Sequence, residues 1–538
     1  RRIELTDTVG RLCQLNAAAP VCGNTSAGES LLSVLESYSP FGEKAQELVQ
    51  AIRGIDGFNW GYDPQHFIAP EGSYASNPDG SARILEFRQM VKSLHDEGLG
   101  VAMDVVYNHT NASGLNDKSV LDKVVPGYYH RLNATTGMVE TSTCCDNTAT
   151  EHRMMAKLMI DTLAIWTEHY KIDSFRFDLM GHHMRGNLLN AYKAVRKIDR
   201  NTYFYGEGWN FGEVANDARG VNATQLNMAG TGIGTFNDRQ RDAVRGGGPF
   251  DGGDSLRRNQ GFANGLYVRP NELNSGSAAE KAELLKLADL IRVGIAGGLR
   301  DYAFESADGS RKRGAEIDYN GQPAGYTRDP QETVNYVSKH DNQTLWDINQ
   351  YKLATSLSSA ERVRLQLLGL AVPLLSQGVP FIHMGADLLR SKSMERDSYD
   401  SGDWYNWVDF TAQTTAWDVG LPRQDKDGDN WDLIKSVIAN SNTKPVAADI
   451  ALAADVFQEL LSIRSSSKLF HLGSKDAVMK RVDFHNVGPE QTPGVIVMSI
   501  DDGTSAGADL DANVDAVVVV FNGSDEAYTK ELRTFLVR

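Results

Sequence analysis

Five apolar, β-branched runs in this chain each end in a polar cluster: "LGVAMDVVYNH" (99–109), "KIDSFRFD" (171–178), "TYFYGEGW" (202–209), "ETVNYVSKHDN" (332–342) and "GVPFIHMGADLL" (378–389). Helical patterns lie between them, including "SARILEFRQMVKSLHDE" (81–97), "HRMMAKLMIDTLAIWTEHY" (152–170) and "GHHMRGNLLNAYKAVRKI" (181–198). Strands alternating with amphipathic helices require a parallel sheet with helices packed over it. The chemically unusual residues all fall at the C-terminal ends of the strands, the side on which an eight-stranded α/β barrel builds its active site. The expectation is therefore an α/β fold, a (β/α)8 TIM-type barrel.

From about residue 475 the texture changes to short alternating runs, "AVMKRVDFHN", "GVIVMSI" and "AVVVVFNGS". These predict a C-terminal antiparallel β-domain, of sandwich type. Before residue 58 the patterning is helical ("ESLLSVLESY", "KAQELVQAI"), with no buried strand run, so the barrel is expected to lack its first strand. Three segments follow: 1–57 leading into the barrel, 58–470 as the barrel, and 471–538 as the β-domain, expected to stop short of its full length. Within the barrel a loop insertion is expected at about 110–150 and an irregular excursion at 230–253.

The run "KIDSFRFDLMGHH" (171–183) carries the sharpest chemistry. Strand side chains alternate, so Ser174, Arg176 and Asp178 face one way while Asp173, Phe175 and Phe177 face the other. Alone, Arg-x-Asp at a strand end is a structural ion pair. Glu207 in "GEGW" and Asp341 in "KHDN" add two further carboxylates at strand ends, with His109 and His340 nearby in sequence. Glycosidic hydrolysis needs two carboxyl groups in opposite states, one protonated to serve the leaving oxygen and one ionised to attack or to activate water. Arg176 beside Asp178 favours ionisation, and Glu207 between two glycines and close to Trp209 suits a drier place. Rings crowd these loops too (Trp60, Tyr62, Trp209, Trp346, Trp404, Trp407), and flat rings stack on sugar faces.

Acidic residues outnumber basic ones, 70 to 54, for a formal charge of −16. That balance argues against a nucleic-acid partner. No run of apolar residues is long enough for a membrane span, and no signal-peptide core follows the basic start. Four cysteines (13, 22, 144, 145) lack zinc-site spacing with histidine. Cys13 and Cys22 either close a short loop by a disulfide or remain thiols, and spacing leaves both readings open. "RQDKDGDN" (423–430) offers oxygen ligands for a structural Ca2+, but its glycine is misplaced for an EF-hand loop. A solvated acidic loop is the simpler reading, and no cofactor is required.

Taken together, "DVVYNH" (104–109), "FRFD" (175–178), "GEGW" (206–209) and "VSKHDN" (337–342) resemble the four signature regions of the α-amylase superfamily. "FNWGYDP" (58–64) and "ERDSYDSGDW" (395–404) resemble signatures of its starch-debranching branch, the pullulanases and plant limit dextrinases. The resemblance implies that Asp178 is the nucleophile, Glu207 the general acid/base and Asp341 the transition-state stabiliser. It also implies that His109 and His340 hold sugar hydroxyls and Arg176 orients the nucleophile. Asp104 and Asn108 would support that arginine, Tyr62 stack under the sugar, and Trp209 wall the acid. The family is retaining, so the Asp178 and Glu207 carboxyls are expected about 5–5.5 Å apart. The implied activity is hydrolysis of α-1,6 branch linkages in pullulan, amylopectin and limit dextrins, by a monomer with a glucan as its partner. An α-1,4-acting or mixed-specificity hydrolase and a non-catalytic glucan-binding protein are the alternatives. Relatives also imply location, either the exterior or cell surface of a bacterium or a plastid. Carbohydrate-binding modules usual ahead of the barrel are not visible, so the chain is expected to be a fragment.

Overall fold

A computed structural model describes residues 3–503 and 506–529. It divides into two compact units, one formed by Gly61–Phe236 and the other by the described residues up to Trp60 and from Asn237 onward.

In the 61–236 unit four strands run parallel. Ala102–Val105 pairs with Ser174–Phe177, which pairs with Tyr203–Gly206, which pairs with Gly234–Phe236. The register sets Asp104 opposite Arg176 and Phe177 opposite Gly206. Phe175, Phe177 and Phe204 fill one face and contact one another, with ring centroids 5.6 and 5.0 Å apart for the two pairs to Phe204. The helix Arg153–Tyr170 covers them, burying Met155, Met159, Leu163 and Trp166, and the helix Arg185–Val195 adds Leu188 and Ala191. Phe175, Phe177 and Phe204 are apolar and buried as an inner parallel strand requires, whereas the first strand, Ala102–Val105, is exposed at Ala102 and Asp104. The 110–150 segment forms a short antiparallel pairing, His109–Thr110 with Asp146–Asn147.

In the other unit Thr333–Asn335 runs parallel to Val379–Pro380, with Val334 opposite Val379. Its long helices are Ala278–Ile295, Ser359–Leu375 and Ala447–Ser466. Two of them open on capping boxes, Ser277 with Glu280 and Ser358 with Glu361, which satisfy the first free amides. Near the chain's start the helices Val9–Leu15, Leu31–Glu36 and Lys44–Ile52 form their own apolar cluster with Trp404 and Tyr405. Cys13 and Cys22 are joined as a disulfide there, which resolves the alternative left open by spacing. Among the described residues the first strand is Ala102–Val105.

Two expectations are corrected. The 230–253 stretch is not irregular throughout: it contains the strand Gly234–Phe236 and the helix Asp238–Arg245, capped by Asn237 accepting from the Gln240 amide. The helix escapes periodicity because arginines hold its buried positions: Arg239 lies between Tyr319 and Tyr326, and Arg241 donates to the Tyr336 hydroxyl. The run "AVMKRVDFHN" is not one strand either. Lys475–Arg481 is helical, its start capped by Ser474 accepting from the Ala477 amide, and only Val482–Phe484 is extended. That strand, Val495–Asp501 and Ala516–Asn522 form a three-stranded antiparallel sheet, as the alternation predicts.

Leu163 is fully buried in the helix that covers the sheet. Leu163→Ala is expected to lower unfolding free energy by about 2–5 kcal/mol, read from urea titration of the two proteins.

Candidate active site

Asp104 and Arg176 stand one residue before the ends of their strands and Asp178 and Glu207 one residue after, so the parallel register brings all four to one end of the sheet. Arg176 is the centre of this group. Its Nη1 lies 2.8 Å from Asp104 Oδ1 and 3.3 Å from Asp178 Oδ1, and its Nη2 forms an ion pair with Glu207 Oε1 at 2.7 Å. The side chain is 4% exposed. Burial works against its charge, but Glu207, Asp104 and Asp178 outweigh that penalty and hold its pKa well above the ordinary arginine value. The guanidinium also sits 5.5 Å from the centre of the Tyr62 ring. Tyr62 in turn donates to Asp104 Oδ2 at 2.5 Å, and burial raises its hydroxyl pKa far above the usual range.

The remaining residues implied by resemblance fall around this group. Asn108 donates to Asp178 Oδ2 at 3.3 Å and to His109 Nδ1 at 2.7 Å. His109 donates from Nε2 to the Tyr62 carbonyl at 2.5 Å, and burial lowers its pKa, so the ring is neutral. Glu207 Oε2 accepts from the Leu179 amide at 3.1 Å, tying the two strand ends together. Trp209 is half-buried two residues beyond. Eight of the ten singled-out residues thus share one unit: Tyr62, Asp104, Asn108, His109, Arg176, Asp178, Glu207 and Trp209.

His340 and Asp341 belong to the other unit. Asp341 pairs with Lys339, and its Oδ1 lies 3.6 Å from His340 Nε2. His340 meets the Trp60 ring edge-on at 4.8 Å, and its carbonyl accepts from Lys392 Nζ at 2.7 Å. Residues 423–430 are not the solvated loop expected: Gln424–Asp427 is helical, Gly428–Asn430 is a 3-10 turn and Asp427 is buried, with Arg423 bonding Asp425, Lys426 pairing with Asp397 and Asp427 accepting from the Arg396 amide.

Three features were not legible beforehand. Gly181 donates its amide to the Glu207 carbonyl at 2.9 Å, and a Cβ there would overlap the Trp209 carbonyl oxygen. Cys144 and Cys145 are joined to each other, and Cys144 Sγ lies 3.5 Å from His109 Nε2. Behind His182, Arg131 makes a two-pronged contact with Glu151 and a 2.8 Å bond to Glu213, while Ser142 bridges Glu213 and His182. Loops carry all three, where sequence periodicity gives no signal.

Comparison with known proteins agrees with the motifs. A pullulanase from Klebsiella pneumoniae is 50% identical over 535 residues, covering 98% of this chain and 48% of that protein. Along nearly its whole length the chain is similar to pullulanases. The chloroplastic pullulanase 1 of Arabidopsis thaliana is 46% identical over 92% of this chain and 52% of its own length. A crystal structure of Klebsiella pneumoniae pullulanase complexed with maltotriose superposes with a TM-score of 0.92 at 49% identity, over 97% of this chain and 50% of that one. The family described as alpha-1,6-glucosidases, pullulanase-type, C-terminal matches residues 412–537. The chain spans about half the length of the pullulanases it matches. Among its described residues no helix is long and apolar enough to cross a membrane.

The buried groups behind the strand ends also make a pH prediction. Burial lowers the pKa of His182 to about 4 and of His183 to about 3. Unfolded, both would titrate at the usual value near 6.5, so below it the unfolded chain binds more protons than the folded one. Glu213 is held at about 2: burial opposes the shift, but bonds from Ser142 and Arg131 prevail. It loses its contribution as pH falls from the usual carboxylate range toward 2. The contribution of these three groups should therefore be level above about pH 7.5 and fall continuously from pH 6.5 to 3. Urea midpoints across that range check this; a midpoint that rose on acidification would contradict it.

Proposed function

We propose that this chain is the catalytic portion of a retaining glycoside hydrolase that cleaves α-1,6-glucosidic branch linkages in pullulan, amylopectin and limit dextrins. The observation that carries the proposal is one buried guanidinium touching two carboxylates at adjacent strand ends, Asp178 and Glu207. Motif resemblance and pullulanase relatives along almost the whole chain support the same reading.

In this reading residues 58–470 form a (β/α)8 barrel and residues 471–538 a β-sandwich domain. Asp178, steered by Arg176 and Asn108, attacks the anomeric carbon while Glu207 gives its proton to the departing oxygen. Glu207 then takes a proton from water, whose oxygen displaces Asp178 and restores the starting configuration. The Glu207 contact to Arg176 must loosen as the glycosidic oxygen arrives, because the acid has to carry a proton at that moment. Asp341 stabilises the positive charge that develops on the sugar, with His109 and His340 on its hydroxyls and Tyr62 beneath its ring. Trp209 walls the acid. The Cys13–Cys22 disulfide favours an oxidising exterior as the workplace.

Glu207→Gln should lower kcat on pullulan by roughly 10²–10⁴-fold while leaving glucan binding intact. Nuclear magnetic resonance of the first product formed by the unaltered chain should show the α-anomer. A β-anomer would mean inversion, which requires carboxyls about 6.5–9.5 Å apart, and would defeat the assignment of Asp178 as nucleophile.

A further inference from the structure

The unit that contains the chain's N-terminal helices holds a cleft of about 540 Å³, lined by none of the ten residues assigned to the active site, although the sequence groups Trp404 and Trp407 with the rings of the catalytic loops. Its walls include Tyr38, Trp404, Trp407 and Trp417, with Glu36 and Asp403 at the surface. We propose that this cleft is a second, non-catalytic binding site for an α-glucan chain.

The lining chemistry selects the ligand class. Tyr38 and Trp407 are half-buried, offering ring surface that water still reaches, while Trp404 is locked in place by its indole N–H donating to the Val419 carbonyl at 2.9 Å. Trp404 and Trp417 are buried and form the back of the cleft, so the ring surface open to a ligand is that of Tyr38 and Trp407. Lys444 Nζ pairs with Asp418 at 3.0 Å, so the net charge of the lining comes from the Glu36 and Asp403 carboxylates. Ring faces together with carboxylate acceptors suit a neutral, hydroxyl-rich molecule with flat apolar faces. The same carboxylates repel nucleic acid and other polyanions. The volume lies in the range of sites that enclose a small ligand, enough for a short stretch of oligosaccharide.

The choice of an α-glucan, among sugars, rests on the proposed function. For an enzyme acting on polymers, a second contact turns each later encounter into an intramolecular one and raises the local concentration of branch points.

The test uses maltoheptaose titrated calorimetrically into the full chain carrying Glu207→Gln, so that binding is read without turnover. Two binding events are expected. Adding Trp407→Ala should weaken one event about tenfold or more and leave the other unchanged. Asp403→Asn, at an exposed position that does not touch the core, should weaken that same event. A single event untouched by either substitution overturns the second site. Absence of any event, with pullulan still hydrolysed by the Glu207 form, overturns it too while leaving the α-1,6 reading in place. Absence of both binding and hydrolysis would remove the two readings together.

Discussion

A guanidinium buried to 4% exposure is the constraint on which the rest of the strand-end chemistry depends. An isolated charge at that depth costs several kcal/mol, and only close, well-oriented counter-charges offset it. Arg176 has Asp104, Asp178 and Glu207 around it. Of those carboxylates Asp178 and Glu207 are buried and would be unfavourable in the same place without the cation, whereas Asp104 is exposed. The parallel register creates this mutual dependence: pairing Asp104 with Arg176 and Phe177 with Gly206 brings neighbouring strands to their polar ends at one level. Nothing flexible holds the group. The arginine stands on a strand, and Phe175 and Phe177 anchor the opposite face of that strand in the core.

The supporting layer is built from loops and is polar rather than apolar. Asn108 fixes Asp178 and His109 at once, and the Leu179 and Gly181 amides hold Glu207 from the neighbouring strand end. Behind these, Arg131 donates to the His182 carbonyl and Ser142 bridges His182 to Glu213, while burial keeps the His182 ring neutral against the pull of the Glu213 charge. A site of this kind exposes few degrees of freedom to the substrate, which is what a reaction depending on two carboxyls at a set spacing requires.

Much of this was legible in the sequence, for a physical reason. Buried parallel strands must be apolar until they reach solvent, so "SFRFD" and "FYGEG" announce both the strand and the place where it ends. All five strand runs, and the helices read between them, occur where their periodicity puts them. What failed to show was of two kinds. The helix Asp238–Arg245 buries arginines instead of leucines, so its inner face looked like a solvated one. The Cys144–His109 approach and the Arg131–Glu213 pair join loop residues far apart in the chain, and no periodicity reports such contacts. Resemblance supplied roles for Tyr62, Trp209 and Asn108 that spacing alone did not.

The central claim is that these carboxylates cut α-1,6 linkages. Incubating the purified chain with pullulan and separating the products by chromatography tests it most directly. Maltotriose as the sole product is the predicted result. Panose or isopanose would show cleavage at α-1,4 linkages and would contradict it.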